Sequence, residues 1–319
     1  MARFGPVVIG AILMTAVLVN ASDYSFLVPL RDVRVAAHRE VVAHSAPAPE
    51  RYRVLVPTIL DLPIRAAAAT MPFDKAFGRV YAVFHFAALT SMLALLAYEL
   101  SIWFTLEQAV VGALLVASTM RMALRQGEYW DLSSIPMTGV FAPHSLLEPI
   151  FVAATIVLAL RDRRAVLAVV LVAAMLNSEA GLFLPLVYLA VRGVNRSSVT
   201  IALGYGALCA AALVAIRIAV GPAATPSSDD VLRENLAHLP TTVINLALFL
   251  GPLWALAVIG LKRAPEPVRR SAILVPVYLA AVAAAGVWWD VRLLMGLYPL
   301  LMPLVLAALF TPRAAFTDA

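Results

Sequence analysis

The sequence predicts an all-α, polytopic membrane helical bundle, and three observations lead to this fold class. Of the 319 residues, 62% are apolar and only 13% are charged, with a mean hydropathy of +0.90, which lies outside the usual composition of soluble proteins. Apolar runs near the ~20 residues that span a hydrocarbon core recur along the chain. Positive charges cluster between these runs, as in loops held on one side of a bilayer. The formal charge of +5 therefore indicates no nucleic-acid partner.

We predict about ten transmembrane helices in one domain that covers residues 1–319. The predicted helices cover 5–21, 80–98, 106–124, 146–160, 165–177, 180–191, 198–219, 242–261, 272–288 and 293–310. The first could instead be a cleaved signal peptide, because Arg3 precedes its apolar run and Val19-Asn20-Ala21 resembles a cleavage site. A consistent topology for the later segments favours a retained helix with a cytoplasmic N-terminus.

The stretch 165–191 has two interpretations. Helices of 12 or 13 residues reach only about 18–20 Å, too short for two full crossings, so one long helix is the alternative to a hairpin. A hairpin broken at Asn177-Ser178-Glu179 puts the basic clusters 161–164 and 192–196 on one side, as the positive-inside rule favours. We prefer the hairpin, and the break then indicates a cleft, because non-helical backbone at membrane depth needs shielding or water.

The charges divide between two sides of the predicted bundle. On this topology eleven of the 24 basic residues are cytoplasmic, whereas fourteen of the 19 acidic residues and four of the five histidines face or approach the other side. The exception is the first outer loop, 22–79, which carries eight basic residues. Asp23 follows the first helix directly, and the stretch 53–65 is suited to lie along the membrane interface as a helix.

Three short motifs resemble bacterial multi-spanning proteins related to the GT-C glycosyltransferase superfamily. They are Arg51-Tyr52-Arg53-Val54-Leu55-Val56-Pro57, Asn177-Ser178-Glu179-Ala180-Gly181, and Asp290-Val291-Arg292 leading into Tyr298-Pro299-Leu300. The resemblance implies a GT-C-like fold in a bacterial inner membrane. It also implies an active site on the non-cytoplasmic side and a polyprenyl-phosphate-linked sugar as donor. By position Asp23 would be the catalytic base or a metal contact, so a divalent metal is an option although the sequence requires no cofactor.

Sugar transfer from a lipid phosphate needs a base for the acceptor proton and cations for the leaving phosphate. Candidate bases are Asp23, Asp131 and Glu179. Candidate phosphate ligands are Arg51, Arg53 and Arg292, because guanidinium groups bind phosphate oxygens bidentately. The alternative for Arg292 is a bond to Asp290, and for Arg53 an interfacial position near lipid headgroups.

Further candidate substrate contacts lie in the outer loops. Trp130 and His144 flank the second loop, and Asp290 follows two tryptophans. Aromatic residues beside carboxylates suit sugar stacking, but tryptophan and tyrosine also concentrate at membrane interfaces without binding ligands.

Three hypotheses remain from the sequence. The first is a glycosyltransferase whose partners are a lipid-linked sugar donor and membrane lipids. The second is a catalytically silent binding or scaffold subunit, because Ser178 and Ala180 stand where the family more typically has a basic residue and a threonine. The third, a transporter, ranks last because the chain has no convincing internal repeat. The sequence does not identify a protein partner, the sugar that is transferred or the acceptor that receives it.

Overall fold

The computed structural model describes residue 14 and residues 31–124, 143–222, 228–288 and 290–313. Every regular element in these ranges is helical, as predicted. The α-helices are α1 (Arg31–Val42), α2 (Leu55–Ala68), α3 (Phe73–Ser101), α4 (Leu106–Leu124), α5 (Glu148–Leu160), α6 (Arg164–Asn177), α7 (Leu184–Arg192), α8 (Arg196–Val220), α9 (Ser228–Ala237), α10 (Leu239–Leu250), α11 (Leu253–Gly260), α12 (Glu266–Ser271), α13 (Leu274–Ala285) and α14 (Tyr298–Leu309). Short 3-10 helices cover Glu50–Tyr52, Pro143–Leu146, Glu179–Phe183 and Val291–Leu297.

Several helices are long and apolar enough to span a membrane. Within the described ranges, the helical stretches with this length and composition are Phe73–Ser101, Pro143–Leu160, Arg196–Val220, Glu266–Ala284 and Val291–Leu309. The bent pair α10 and α11 would make a sixth. Leu106–Met120 and Arg164–Asn177 are apolar but shorter. The structure therefore supports five or six candidate spans, and about ten crossings remain a prediction.

Helix α14 is the centre of the bundle. Met302, Val305, Leu306 and Ala307 are fully buried, because helices surround this segment on all sides and it is apolar all round. Gly260 of α11 approaches it so closely that a Cβ there would meet the Leu304 carbonyl. In contrast, α8 exposes apolar side chains such as Leu203 and Ile218, as expected of a helix that faces lipid.

Charged groups collect at the two ends of the bundle. One end, the basic end, comprises residues 160–164, 190–196, 261–270 and 309–313. Arg270 joins these segments by donating to the carbonyls of Ala190 at 3.1 Å and Val191 at 2.9 Å. The other end, the polar end, comprises residues 50–53, 143–148, 177–183 and 290–292. The basic clusters 161–164 and 192–196 thus lie at the opposite end of α6 and α7 from the turn at 179–183.

The predicted hairpin at 165–191 is confirmed. Helix α6 ends at Asn177, a 3-10 turn follows, and α7 returns to Arg192. The Nη2 of Arg192 lies 3.9 Å from Oδ1 of Asp162. A single helix would separate these residues by about 45 Å at 1.5 Å per residue, so the one-helix alternative is wrong.

The first loop forms two helices that pack on the N-terminal half of α3. Val56, Leu60 and Ile64 of α2 cluster with Phe77 and Tyr81. Helix α2 covers most of the predicted interfacial stretch. Because α1 and α2 cover that half of α3, the helix begins at Phe73, seven residues before the predicted start.

The predicted helix 242–261 is broken in the structure. Helices α10 and α11 meet at an angle of 62°. Gly251 at the junction has a φ of +49°, a left-handed conformation that glycine adopts without steric cost. Pro252 follows and starts the next helix. The Gly-Pro pair in the sequence was the signal for this break.

The hairpin geometry predicts from which side of the membrane a labelling reagent reaches two loops. In a Cys209→Ala background, Arg163→Cys and Val194→Cys should be labelled by a membrane-impermeant maleimide from the same side of sealed vesicles. Both positions are exposed at the basic end. Ser45→Cys, exposed beyond α1, should react only from the opposite side. Labelling of positions 163 and 194 from opposite sides would contradict the fold.

Candidate functional site

The polar end brings Arg53 and Glu179 together from distant parts of the chain. Arg53 follows the 3-10 turn Glu50–Tyr52, and Glu179 begins the turn between α6 and α7. Nε of Arg53 lies 3.8 Å from Oε2 of Glu179, and Nη1 lies 3.4 Å from Oε1 of Glu50. Both Arg53 and Glu179 are half-buried. One cation therefore lies between two carboxylates at the mouth of the hairpin break.

Ser178 and Asn177 fix the backbone at this break. The Ser178 hydroxyl accepts a hydrogen bond from the amide of Ala180 at 3.2 Å, which caps the 3-10 turn. Nδ2 of Asn177 donates to the carbonyl of His144 at 2.9 Å. A Cβ on Gly181 would lie 3.0 Å from the backbone of Ala174, so only glycine fits where the turn folds back on α6.

A cavity lies beside this break. Its polar lining consists of Glu148, Asn177, Ser178 and Tyr278. The side chain of Glu148 bonds that of Ser178, and it lies within electrostatic reach of Arg53, Glu179 and Asp290. The volume open to the centre of a water molecule is about 20 Å³, which is room for one water.

Asp290 and Arg292 form a buried ion pair at the same end. Nε of Arg292 donates to Oδ1 of Asp290 at 2.8 Å, and Nη2 donates to Oδ2 at 2.6 Å. Only 10% of the Arg292 side chain and 14% of the Asp290 side chain are exposed. The buried His144 lies within electrostatic reach of Arg292 and of Arg53. The bond to Asp290, which the sequence offered as the alternative role of Arg292, is therefore present.

Several buried polar atoms of this end have no hydrogen-bond partner. They are Nε of Arg51, Nε of Arg53, Oγ of Ser145, Oε2 of Glu148 and Oδ1 of Asn177. A buried polar group without a partner costs about 1–3 kcal/mol, so native proteins rarely leave several in one place. Two of these residues, Glu148 and Asn177, line the cavity, which indicates a position there for a water or for a polar group of a ligand.

The structure places the predicted site residues in three groups. Arg53, His144, Glu179, Asp290 and Arg292 come together at the polar end. Arg51 turns away from them, because its guanidinium donates to the carbonyl of Pro222 after α8. The predicted site residues Asp23, Trp130 and Asp131 lie outside the described residues.

Sequence reasoning missed four residues of the cluster. Glu148 falls within the predicted helix 146–160 but was not selected as a site residue; it begins α5 and is buried. Ser145, Asn177 and Tyr278 were not selected either. An ionisable residue next to an apolar run was the available signal for Glu148, since such residues at membrane depth commonly have a function.

Within the described residues, no three side chains of histidine, cysteine, aspartate or glutamate lie close enough together to bind one metal ion. His38 and His44, which the sequence places six residues apart, do not meet in a shared site: His38 is buried and His44 is exposed.

A second polar group joins α1, α2 and α3. Nδ1 of His38 lies 3.1 Å from the Tyr81 hydroxyl, and its Nε2 lies 3.6 Å from Oδ1 of Asp61. Arg65 pairs with the other oxygen of Asp61 at 2.7 Å. Burial lowers the pKa of His38 from 6.5, although the nearby Asp61 carboxylate acts in the opposite direction.

Comparisons of the chain with protein-family models, with curated proteins and with solved structures found no match.

The Asp290–Arg292 pair has an exposed counterpart with the same spacing, Asp162 and Arg164, which are also bonded twice, at 2.9 Å and 3.2 Å. Asp290→Asn should lower the free energy of unfolding by about 3 kcal/mol or more, because it leaves a buried guanidinium without its counter-charge. Asp162→Asn should change it little, since water screens the exposed pair. Chemical unfolding in detergent micelles measures both. Equal effects of the two variants would contradict the role assigned to burial.

The buried His38 should make stability depend on pH. Its pKa in the folded state is below the unfolded value of 6.5, so the unfolded chain takes up the proton first as the pH falls. The stabilisation from the neutral ring is therefore present above pH 6.5 and decreases below it. The melting temperature should fall between about pH 7.5 and about pH 5.5. His38→Gln should reduce this fall, and His44→Gln should leave it unchanged; an unaltered slope in His38→Gln would refute the assignment.

Proposed function

We propose that this protein is a membrane glycosyltransferase that transfers a sugar from a polyprenyl-phosphate donor at its polar end. The observation that carries the proposal is the cluster of Arg53, Glu148, Glu179 and the Asp290–Arg292 pair, next to a cavity lined by the unpartnered polar atoms of Glu148 and Asn177. Charged groups are rare inside membrane bundles and mark sites of function there. A phosphate-linked substrate with sugar hydroxyls matches these cations, carboxylates and amides in chemistry.

The distribution of charge supports an orientation for this proposal. The basic end carries ten of the 24 basic residues, as in segments that remain at the cytoplasmic side. We therefore propose a multi-pass protein of the bacterial inner membrane, with about ten crossings, a GT-C-like arrangement and a cytoplasmic N-terminus. The polar end then faces the non-cytoplasmic side. A donor anchored by its lipid would reach that end through the membrane rather than from the cytosol.

In the proposed reaction, a carboxylate removes the proton of the acceptor hydroxyl, and the hydroxyl oxygen attacks the anomeric carbon of the sugar. The bond from that carbon to the phosphate oxygen breaks, and the lipid phosphate leaves with the bonding electron pair. Arg53 and Arg292 would stabilise the growing negative charge by donating N–H groups to the phosphate oxygens.

Glu179 is the described candidate for the base. Its side chain is 29% exposed and lies between Ser178 and Ala180, which line the cavity, so an acceptor hydroxyl can reach it. Glu148 lies deeper and is 7% exposed, which suits a residue that orients the acceptor. Asp23, Asp131 and Trp130 remain sequence candidates for the base and the sugar contact.

A second candidate function is a silent binding or scaffold subunit. Two observations favour it: both arginines already have carboxylate partners in the chain, and the cavity has room for only about one water. Catalysis would require the turn at 179–183 to move so that a sugar can enter. A scaffold would need no such movement.

Transfer can be tested with purified protein in lipid nanodiscs. The probes are radiolabelled polyprenyl-phosphate glucose, mannose and galactose, with binding and sugar release measured separately. We expect Glu179→Gln to reduce transfer at least about 100-fold while binding persists, because loss of a general base affects the chemical step. Arg53→Gln should weaken binding of the donor.

The control is Arg163→Gln, an exposed arginine at the basic end, which should retain both activities. Binding without sugar release by the unaltered protein would favour the scaffold function. Absence of both binding and release with all three donors would count against the proposed substrate class.

A further inference from the structure

A second buried carboxyl lies in the basic half of the bundle. Glu99, near the C-terminal end of α3, is only 1% exposed, and its Oε2 has no hydrogen-bond partner. The indole Nε1 of Trp103, one helical turn further on, is also buried without a partner. The proposed transfer site does not use either side chain.

Glu99 and Trp103 line one small cavity. The helices that surround it contribute Ile156, Val191, Val268, Ser271, Pro299 and Pro303. The volume open to the centre of a water molecule is about 10 Å³, close to the minimum for a single water. Any occupant must therefore be a very small molecule.

The hydrogen-bonding groups of the lining define what this occupant must be. Trp103 offers an N–H and needs an acceptor. Pro303 lies inside α14 and has no N–H, so the carbonyl of Pro299 lacks its usual helical donor. Glu99 also has an unused oxygen. A water molecule can accept from the indole and donate to both oxygens, which no metal cation can do.

The charged residues on the elements packed around Glu99 are occupied elsewhere. Arg161 stacks over the ring of Tyr98, Arg192 pairs with Asp162, Arg270 pairs with Glu266, and the charge of Arg313 lies within electrostatic reach of Glu107. The residues that line the cavity include none with a charge other than Glu99. An ionised Glu99 would thus be a buried charge without compensation, which is costly.

We propose that Glu99, Trp103 and the Pro299 carbonyl form a site for one proton and one water molecule, in which the Glu99 carboxyl is protonated and exchanges its proton through the bound water. The cavity also borders Pro267 and Val268 of α12, so the bound water lies between the carboxyl and the basic end. This site is independent of the proposed glycosyltransferase function.

Infrared difference spectroscopy of the full chain in nanodiscs tests the proposal. At about neutral pH, the unaltered protein should show the C=O stretch of a protonated carboxyl. This band should be missing in Glu99→Gln and retained in Glu107→Gln, where an exposed glutamate at the start of α4 is changed. In D2O the band should shift overnight, because the proton exchanges through water.

Trp103→Phe provides a second test that keeps the carboxyl. It removes one hydrogen bond of the water, so the Glu99 band should change frequency without loss of intensity. An unaltered protein without a band assignable to Glu99 would mean that the carboxyl is ionised and would overturn the proposal. A band that does not shift in D2O, or that is identical in Trp103→Phe, would overturn the bound water.

Discussion

The low polarity of the hydrocarbon core is the constraint on which the rest of this structure depends. It admits backbone only where amide and carbonyl groups are paired, and it makes unpaired charge costly. The chain satisfies both conditions by placing the nearly all-apolar α14 at the centre and its arginines at the ends. The basic end shows how this is done: the guanidinium of Arg270 donates to two terminal carbonyls of α7, and Glu266 balances its charge.

The break between α6 and α7 is where the same constraint produces a site. Two short helices leave terminal amides and carbonyls in the interior of the protein, where Asn177 and Ser178 are buried, and these groups need partners from the chain. The side chain of Ser178 supplies one, and Asn177 ties the break to His144. Glu179 follows directly and is thereby held opposite Arg53. The carboxylate position is thus a consequence of how the break is closed, and not of a separate loop.

Much of the fold could be predicted because apolar runs and basic clusters report directly on the membrane. The predicted bounds 106–124 agree with α4, and the hairpin followed from the positions of arginines alone. Helices α1 and α9 were not predicted, because mean hydropathy is low in both and only tertiary packing, such as His38 against Tyr81, reveals their role.

The candidate site was predicted less completely, for a geometric reason. Arg51 and Arg53 belong to one sequence motif and were both predicted to bind phosphate, yet only Arg53 lies beside Glu179 at the polar end. Their directions are set by the docking of Tyr52 and Arg51 on the C-terminal end of α8, where the Tyr52 hydroxyl donates to the Gly221 carbonyl at 3.3 Å. A contact between residues about 170 positions apart is not encoded in any local pattern. Glu148 was missed for the related reason that its burial depends on α6 and α13.

The two buried carboxyls, Glu148 and Glu99, lie in adjacent layers of the bundle. Val152 lines the cavity of the first and Ile156 that of the second, so the cavities are about one helical turn, or roughly 6 Å, apart along α5.

Gly296 and Pro299 line the same two cavities from the other side, and Tyr298 lies between them in the chain. Its hydroxyl is 2.9 Å from that of Thr119, and its ring packs on Phe249 at 5.3 Å. Because both contacts hold Tyr298 from α4 and α10, the apolar layer between the cavities is anchored on two sides. The two cavities are therefore separated by about one helical turn of packed side chains, and the contacts of Tyr298 hold that packing in place.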